Sequence, residues 1–391
     1  MNGPQMTEDR PTSQNPKNQY GSLESVIRGI RSIRPMDLSH DNWRRAHPEE
    51  SFDNWATIAR EYFQASLNYD PGSLELNSKT VSTEDHGDFI LEQIEFNTTP
   101  WHRLNGYFLY PKKRQGKIPG LAVLHAWGGP MMFGKDRIVN SGRDHYCLAE
   151  HREEYYDGKY LAEEYARNGY AVIVIDSHHF GERIPKGVDE IPIDFDPYSL
   201  SKEETLKFQQ YLCDILYTSI KQLSWAGTTW AGLNYYDDSR CIDYMLSRPE
   251  VDPDRIGVTG LSGGAWRTNI LAALDPRVKA SVSVGWMTTG DSQQEYNIKG
   301  AIAPFCILPG VWNRMDVPDL ALMAFHGAPM IVVGTHDHLF ANEGVEAART
   351  YIEQVAQEED RPCRFYRPEA VHCYNGDVQT QAFDWFAEHL K

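Results

Sequence analysis

The chain has 391 residues, with 38 Lys and Arg against 55 Asp and Glu and a formal net charge of −17. That balance repels phosphates and argues against a nucleic-acid or anionic-membrane partner. A hydrophobic fraction of 41% suffices for a core. No apolar run approaches the roughly 20 residues needed to span a bilayer. The six scattered cysteines form no C-x-x-C pair and fit reduced thiols in a cytoplasmic protein.

Residues 1–20 are rich in Asn, Gln, Pro and Ser and are expected to be disordered or to lie as an arm on a neighbour. They contain no apolar core of a signal peptide. Residues 21–85 read as a helical N-terminal extension. Leu23, Val26, Ile27, Ile30 and Ile33 recur at helical spacing, and Ser51-Phe52-Asp53-Asn54-Trp55 opens a second helix with Ile58, Tyr62, Phe63 and Leu67 on one face. The expected role is packing over the main domain; the arm also leaves a homodimer open.

From 86 to 391 the pattern is that of a catalytic α/β domain. Phe89 to Phe96 and Leu104 to Tyr110 are β-rich and separated by a turn signal. Pro119 to His125 and Tyr170 to Asp176 are continuous apolar strands of the kind buried on both faces of a parallel sheet. A helix is expected over 158–168, a loop over 184–201, and long helices over about 202–224 and 229–248. Strands follow at Ile256 to Thr259, Val278 to Val284, Pro329 to Gly334 and Arg364 to Tyr366. Further helices are expected over about 343–357 and 378–390, and a polar stretch over 288–318 is expected to fold across the strand ends. Alternating strands and helices give a mostly parallel sheet with helices on both faces, whose chemistry sits beyond the C-terminal strand ends.

The motif that organises this domain is Gly260-Leu261-Ser262-Gly263-Gly264, a G-x-S-x-G between a strand and a helix. The five-residue pattern alone arises by chance in about one chain in seven of this length; the strand before it and the helix after it give it meaning. Such a turn exposes Ser262 as a nucleophile beside free helix N–H groups. The acid and base should follow in the order Ser, Asp, His. Asp337 lies just past a strand and is preferred to Asp316 and Asp319. His372 follows the last strand and is preferred to His336, His338 and His389. The oxyanion donors are then the Gly263 N–H and an N–H of the glycine-rich loop after the strand ending at His125, with Trp127 first and Gly128 next. His178, His179, Trp286 and His338 each follow a strand end and are assigned to the pocket wall. Arg267, one turn into the helix after Ser262, is a candidate pocket residue that could bind a substrate carboxylate, with a structural salt bridge the preferred reading. Adjacent side chains in His336-Asp337-His338 and His178-His179 diverge, so no metal site is expected.

The segments HAWGG, D-x-x-x-FGER, GLSGG and GTHDHLF and the late His372 resemble the α/β-hydrolase superfamily, in particular its dienelactone-hydrolase-like and acetyl-xylan-esterase-like branch. The runs GGAWRTNILAALDPRVKASVSVGWM and PDLALMAFHGAPMIVVGTHDHLF resemble that branch beyond the triad. The resemblance covers about 86–391. It implies an α/β-hydrolase fold with an eight-stranded sheet, a small-molecule ester substrate and no cofactor. Dienelactone hydrolases proper carry cysteine where this chain has Ser262, and cephalosporin-C deacetylases carry glutamine where it has Gly263. The N-terminal extension also resembles that of some carbon–carbon-bond hydrolases. The expectation is a serine hydrolase acting on small acyl or acetyl esters of carbohydrate or natural-product scaffolds. A carbon–carbon hydrolase or lyase on the same triad, and a non-catalytic binding protein, are the alternatives.

Overall fold

The computed structural model describes residues 23–101, 103–187 and 191–391; the arm expected over 1–20 lies outside them. Three helices come first: α1 (Leu23–Ser32), α2 (His40–Ala46) and α3 (Phe52–Ser66). Strands β1 (Lys79–Asp85), β2 (Phe89–Asn97), β3 (Arg103–Pro111) and β4 (Ile118–Leu124) follow. Next are α4 (Tyr146–Tyr156), α5 (Leu161–Arg167), β5 (Ala171–Ile175), α6 (Lys202–Trp225), α7 (Trp230–Ser247), β6 (Val251–Leu261), α8 (Gly263–Leu274) and β7 (Val278–Val284). The chain ends with α9 (Gly290–Tyr296), α10 (Ile298–Ala301), α11 (Asp319–Met323), β8 (Ala328–Val332), α12 (Asn342–Glu358), β9 (Arg364–Tyr366) and α13 (Gly376–Leu390).

The strands form one sheet in the order β1-β2-β3-β5-β4-β6-β7-β8-β9. Pairing is antiparallel from β1 through β3 to β5 and parallel from β5 to β9. This is the α/β-hydrolase fold with nine strands rather than eight. The extra one is β1, whose sequence KTVSTED is polar and almost wholly exposed, so it carries no apolar alternation to announce it. A charged edge strand of this kind also resists pairing with another chain. By contrast every residue of β4, β5 and β8 is buried, as strands covered on both faces must be. Helices α7, α8 and α12 cover one face, and α5 and α13 the other.

The extension is only partly a packing element. Helix α3 starts with the Ser51 side chain accepting from the Asn54 N–H and seats Trp55, Ala59 and Phe63 in the core against α8 and α11. The Arg60 guanidinium donates to the Ala273 and Met323 carbonyls. Helix α1 differs from the expectation: Leu23, Val26, Ile27, Ile30 and Ile33 are all exposed. It is held by charge instead, Arg31 and Arg34 both pairing with Asp291 of α9. Helix α4, which lacks an apolar stripe, was not expected. Among the described residues no helix is long and apolar enough to cross a membrane.

Three buried histidines make stability depend on pH. Burial pushes His40 down to about 4, His125 to about 3 and His151 to about 2. Each folded value lies below the ordinary value of 6.5, so the unfolded chain takes up protons first as pH falls. The stabilisation is complete above pH 6.5 and is lost progressively below it, toward pH 4 for His40. Each histidine contributes a slope of about 1.4 kcal/mol per pH unit in that window. Thermal melts from pH 8 to pH 4.5 should therefore show a falling Tm below pH 6.5, and His40→Gln should flatten that fall. A pH-independent Tm difference between wild type and His40→Gln would contradict this.

Candidate active site

The site is built at the C-terminal ends of β4, β6, β7 and β8. Strand β4 has β5 on one side and β6 on the other, so the chain reverses its direction of winding there and opens a crevice. Ser262 stands between β6 and α8 with φ 58° and ψ −118°, a conformation that costs a non-glycine residue on the order of 1–3 kcal/mol. The strain is imposed by close backbone packing. A Cβ on Gly264 would lie 2.1 Å from the Leu124 carbonyl oxygen of β4. Only glycine lets α8 start so close to that strand. The Ser262 N–H donates to the Val284 carbonyl at 2.8 Å, which fixes the turn to β7.

Asp337 follows β8 and His372 follows β9. Their loops are bonded to each other: the Thr335 N–H donates to Pro368 O at 2.9 Å and the His336 N–H to Ala370 O at 3.0 Å. This pairing brings the His372 Nδ1–H to Asp337 Oδ2 at 2.6 Å. The carboxylate is buried and also accepts from the Leu339 N–H at 3.1 Å. With Nδ1 committed to the carboxylate, His372 presents a bare Nε2, which has no partner among the described residues. The ring packs on Gly285 at the end of β7, where φ is +75° and a Cβ would fall 2.8 Å from His372 Cε1.

Two N–H groups converge beside Ser262. The Gly263 N–H is the first of α8 and has no intrahelical acceptor. The Trp127 N–H has no acceptor among the described residues. The two residues touch: a Cβ on Gly263 would lie 2.4 Å from Trp127 Cβ and 3.0 Å from the Trp127 nitrogen. Ser262, Gly263, Trp127 and His372 line one cavity of about 350 Å³. Its walls are mainly apolar, with Leu216 from α6 and Trp286, Ile302, Phe305 and Phe340. His151, Tyr155 and Lys299 supply its polar side. Among the described residues no group of three or more His, Cys, Asp or Glu is arranged to hold a metal ion.

A family model, that of the Abhydrolase family, matches residues 18–341. The chain belongs to the Abhydrolase family. YtaP of Bacillus subtilis (strain 168), named as a hydrolase, is 24% identical over 279 residues, which is 71% of this chain and 79% of YtaP. YuxL of the same organism, named as a peptidase, is 24% identical over 212 residues, 53% of this chain but only 23% of YuxL. Among solved structures, BF1801 of Bacteroides fragilis, named as an acetyl xylan esterase, superposes with a TM-score of 0.64. It is 16% identical and covers 91% of this chain and 84% of its own. A glucuronoyl esterase from Teredinibacter turnerae T7901 gives a TM-score of 0.60 at 14% identity, covering 92% and 89%. At these identities the two structures establish the fold of this Abhydrolase-family chain.

The other residues singled out from the sequence of this family member fall in two groups. Trp286 lines the cavity. His178, His179, His338 and Arg267 do not. His178 is drawn to Asp237 at 3.0 Å, and His179 stacks against Trp230. His338 is exposed on the acid's loop. Arg267 turns inward and forms a bidentate pair with Asp238, Nε to Oδ2 at 2.9 Å. The weaker acids are engaged elsewhere: Asp319 accepts from the His40 N–H and Asp316 from the Gly290 N–H. His151, Tyr155 and Lys299 were missed. The first two sit on α4, and Lys299 lies in the stretch read only as a cover for the strand ends.

Gly285→Ala tests the seat of the histidine. Its Cβ collides with the ring and its φ strains any other residue. The variant should fold, lose about 1–2 kcal/mol of stability, and lose at least about tenfold in kcat on any substrate that depends on His372. Unchanged kcat in steady-state assays would show that His372 need not occupy this position.

Proposed function

We propose that the chain is a serine hydrolase of carboxylic esters with small acyl groups, such as acetyl groups on carbohydrate or natural-product scaffolds. The observation that carries this reading is the His372–Asp337 hydrogen bond at 2.6 Å on the wall of the cavity that holds Ser262. In this mechanism His372 Nε2 takes the proton as Ser262 Oγ attacks the ester carbonyl. The oxyanion accepts from the Trp127 and Gly263 N–H groups. The alkoxide leaves with the proton from His372, and water, activated by the same Nε2, then cleaves the acyl-enzyme. Asp337 holds the tautomer and stabilises the imidazolium. The cavity of about 350 Å³ suits a small acyl group with part of its alcohol. The esterase names borne by the structural neighbours point the same way.

The test is turnover of p-nitrophenyl acetate and labelling by a fluorophosphonate. Wild type should show both, and Ser262→Ala should lose labelling and about 10⁴-fold or more in kcat. Asp337→Asn should lose about 10³ to 10⁴-fold while still folding. Folded wild type that neither labels nor turns over any acyl ester in a varied panel would overturn the reading. Cleavage of a 1,5-diketone without ester turnover would replace it with carbon–carbon hydrolysis.

A further inference from the structure

We infer that Arg137 is a positioning residue for the oxyanion site, acting through the peptide that joins Ala126 to Trp127; this rests on the ester-hydrolase reading. Arg137 is completely buried and forms no ion pair with any carboxylate among the described residues. The buried Lys135 and Arg267 and the half-buried Arg183 behave differently: Lys135 pairs with Asp176, Arg183 with Asp237 and Arg267 with Asp238. Arg137 spends its donors on the carbonyls of a single loop. Nη1 donates to Ala126 O at 2.9 Å and to Gly128 O at 2.6 Å, and Nη2 donates to Pro130 O. Its face lies over the Phe180 ring at 5.2 Å.

The consequence follows from peptide geometry. The Ala126 C=O and the Trp127 N–H belong to one trans peptide and point in opposite directions. A donor that holds this carbonyl toward the interior therefore holds the N–H toward Gly263 and the cavity. A second donor acts on the same oxygen. The Ser177 N–H donates to His125 Nε2 at 3.0 Å, which leaves the proton on Nδ1, and that Nδ1–H donates to Ala126 O at 2.8 Å. His125 and Arg137 thus clamp one carbonyl from two sides. Both are buried, so water cannot replace either donor.

Charge adds to orientation. A cation at the oxygen end of the peptide dipole draws electron density away from the N–H end and strengthens it as a donor to an oxyanion. Burial pushes Arg137 down only to about 10, so it remains charged at neutral pH. A lysine keeps the charge but cannot span carbonyls that a planar fork reaches together. The role is specific to the transition state, because a ground-state ester carbonyl bears little of the charge that this N–H would meet.

The experiment compares wild type, Arg137→Lys and Arg137→Gln on p-nitrophenyl acetate, with kcat expressed per site titrated to completion by a fluorophosphonate. Arg137→Gln should lose about 100-fold in kcat and Arg137→Lys about tenfold, with KM within about threefold of wild type. The affinity of a trifluoromethyl ketone, which forms a tetrahedral adduct on the serine, should fall in parallel with kcat. A residue that merely glued the loop would lower the titratable sites or Tm and leave kcat per site unchanged; that result overturns the inference. If Arg137→Gln does not fold, Arg137→Lys decides alone, and kcat per site within twofold of wild type overturns it. Wild type without ester turnover would fail the ester reading and this inference together, whereas active wild type with unaffected variants fails this inference only.

Discussion

The site depends on one contact between backbones: the start of α8 against the end of β4. A side chain at Gly264 would stand 2.1 Å from the Leu124 carbonyl oxygen, and one at Gly260 would stand 2.6 Å from the same atom. With no side chains there, α8 begins directly behind β4, and Ser262 is forced into its left-handed conformation between them. The same closeness sets Trp127, three residues beyond Leu124, against Gly263. Ser262 and the Trp127 and Gly263 N–H groups are therefore placed by a single packing event between α8 and β4. Moving α8 by the radius of one methyl group would separate both pairs at once, since protein interiors do not deform smoothly at that scale.

Behind this contact lies an unusually polar wall. Asp176 is buried and accepts from the Lys135 side chain at 2.8 Å and from its N–H at 2.6 Å. Burial would raise the Asp176 carboxyl, but the nearby Lys135 ammonium together with the hydrogen bonds donated by Lys135 holds the group below its ordinary range. Arg183 and Asp237, and Arg267 and Asp238, repeat the arrangement. Buried pairs recover little net stability after desolvation, so their value here is geometric. The strand ends open into irregular loops whose carbonyls have no ladder to join, and buried carbonyls must find donors. Charged side chains supply them. Arg137 is the limiting case, compensated by carbonyl dipoles and the Phe180 ring with no carboxylate paired to it among the described residues.

What was legible in the sequence follows from how locally each feature is caused. Strands β4, β5 and β8 were readable because a strand covered on both faces must be apolar throughout. The turn around Ser262 was readable because its steric demand falls on adjacent residues, and Asp337 and His372 because chain order places them after successive strands. Strand β1 was not readable, since an edge strand held by backbone bonds needs no apolar pattern. The stripe Leu23 to Ile33 was read as helical, and α1 covers most of it, but its spacing could not say whether anything covers it. Side-chain direction at strand ends was the other gap. Arg267 makes the structural salt bridge preferred for it, but its partner Asp238 on α7 was not readable, and Asp237 on the same helix draws His178 away from the wall it was assigned to. Those partners lie 29 and 59 residues distant, beyond any local pattern.

This separation of causes also divides chemistry from selectivity. Ser262, Asp337 and His372 come from strand ends, whereas much of the cavity wall comes from α6 and from the segment 299–305. The second of these is not independent of the triad. Gln293 Nε2 donates to Leu339 O at 3.0 Å, and the Tyr296 hydroxyl donates to His338 O at 3.3 Å. Both acceptors lie within two residues of Asp337, on the loop whose Leu339 N–H supports the carboxylate. The helix α9 before that segment is thus fastened to the loop that carries Asp337. Changes in Leu216 or Tyr217 on α6 alter only the wall, whereas changes in α9 reach the loop that carries Asp337. The wall contributed by α6 is therefore free to vary without touching Asp337, while α9 is tied to the loop that supports the His372–Asp337 hydrogen bond.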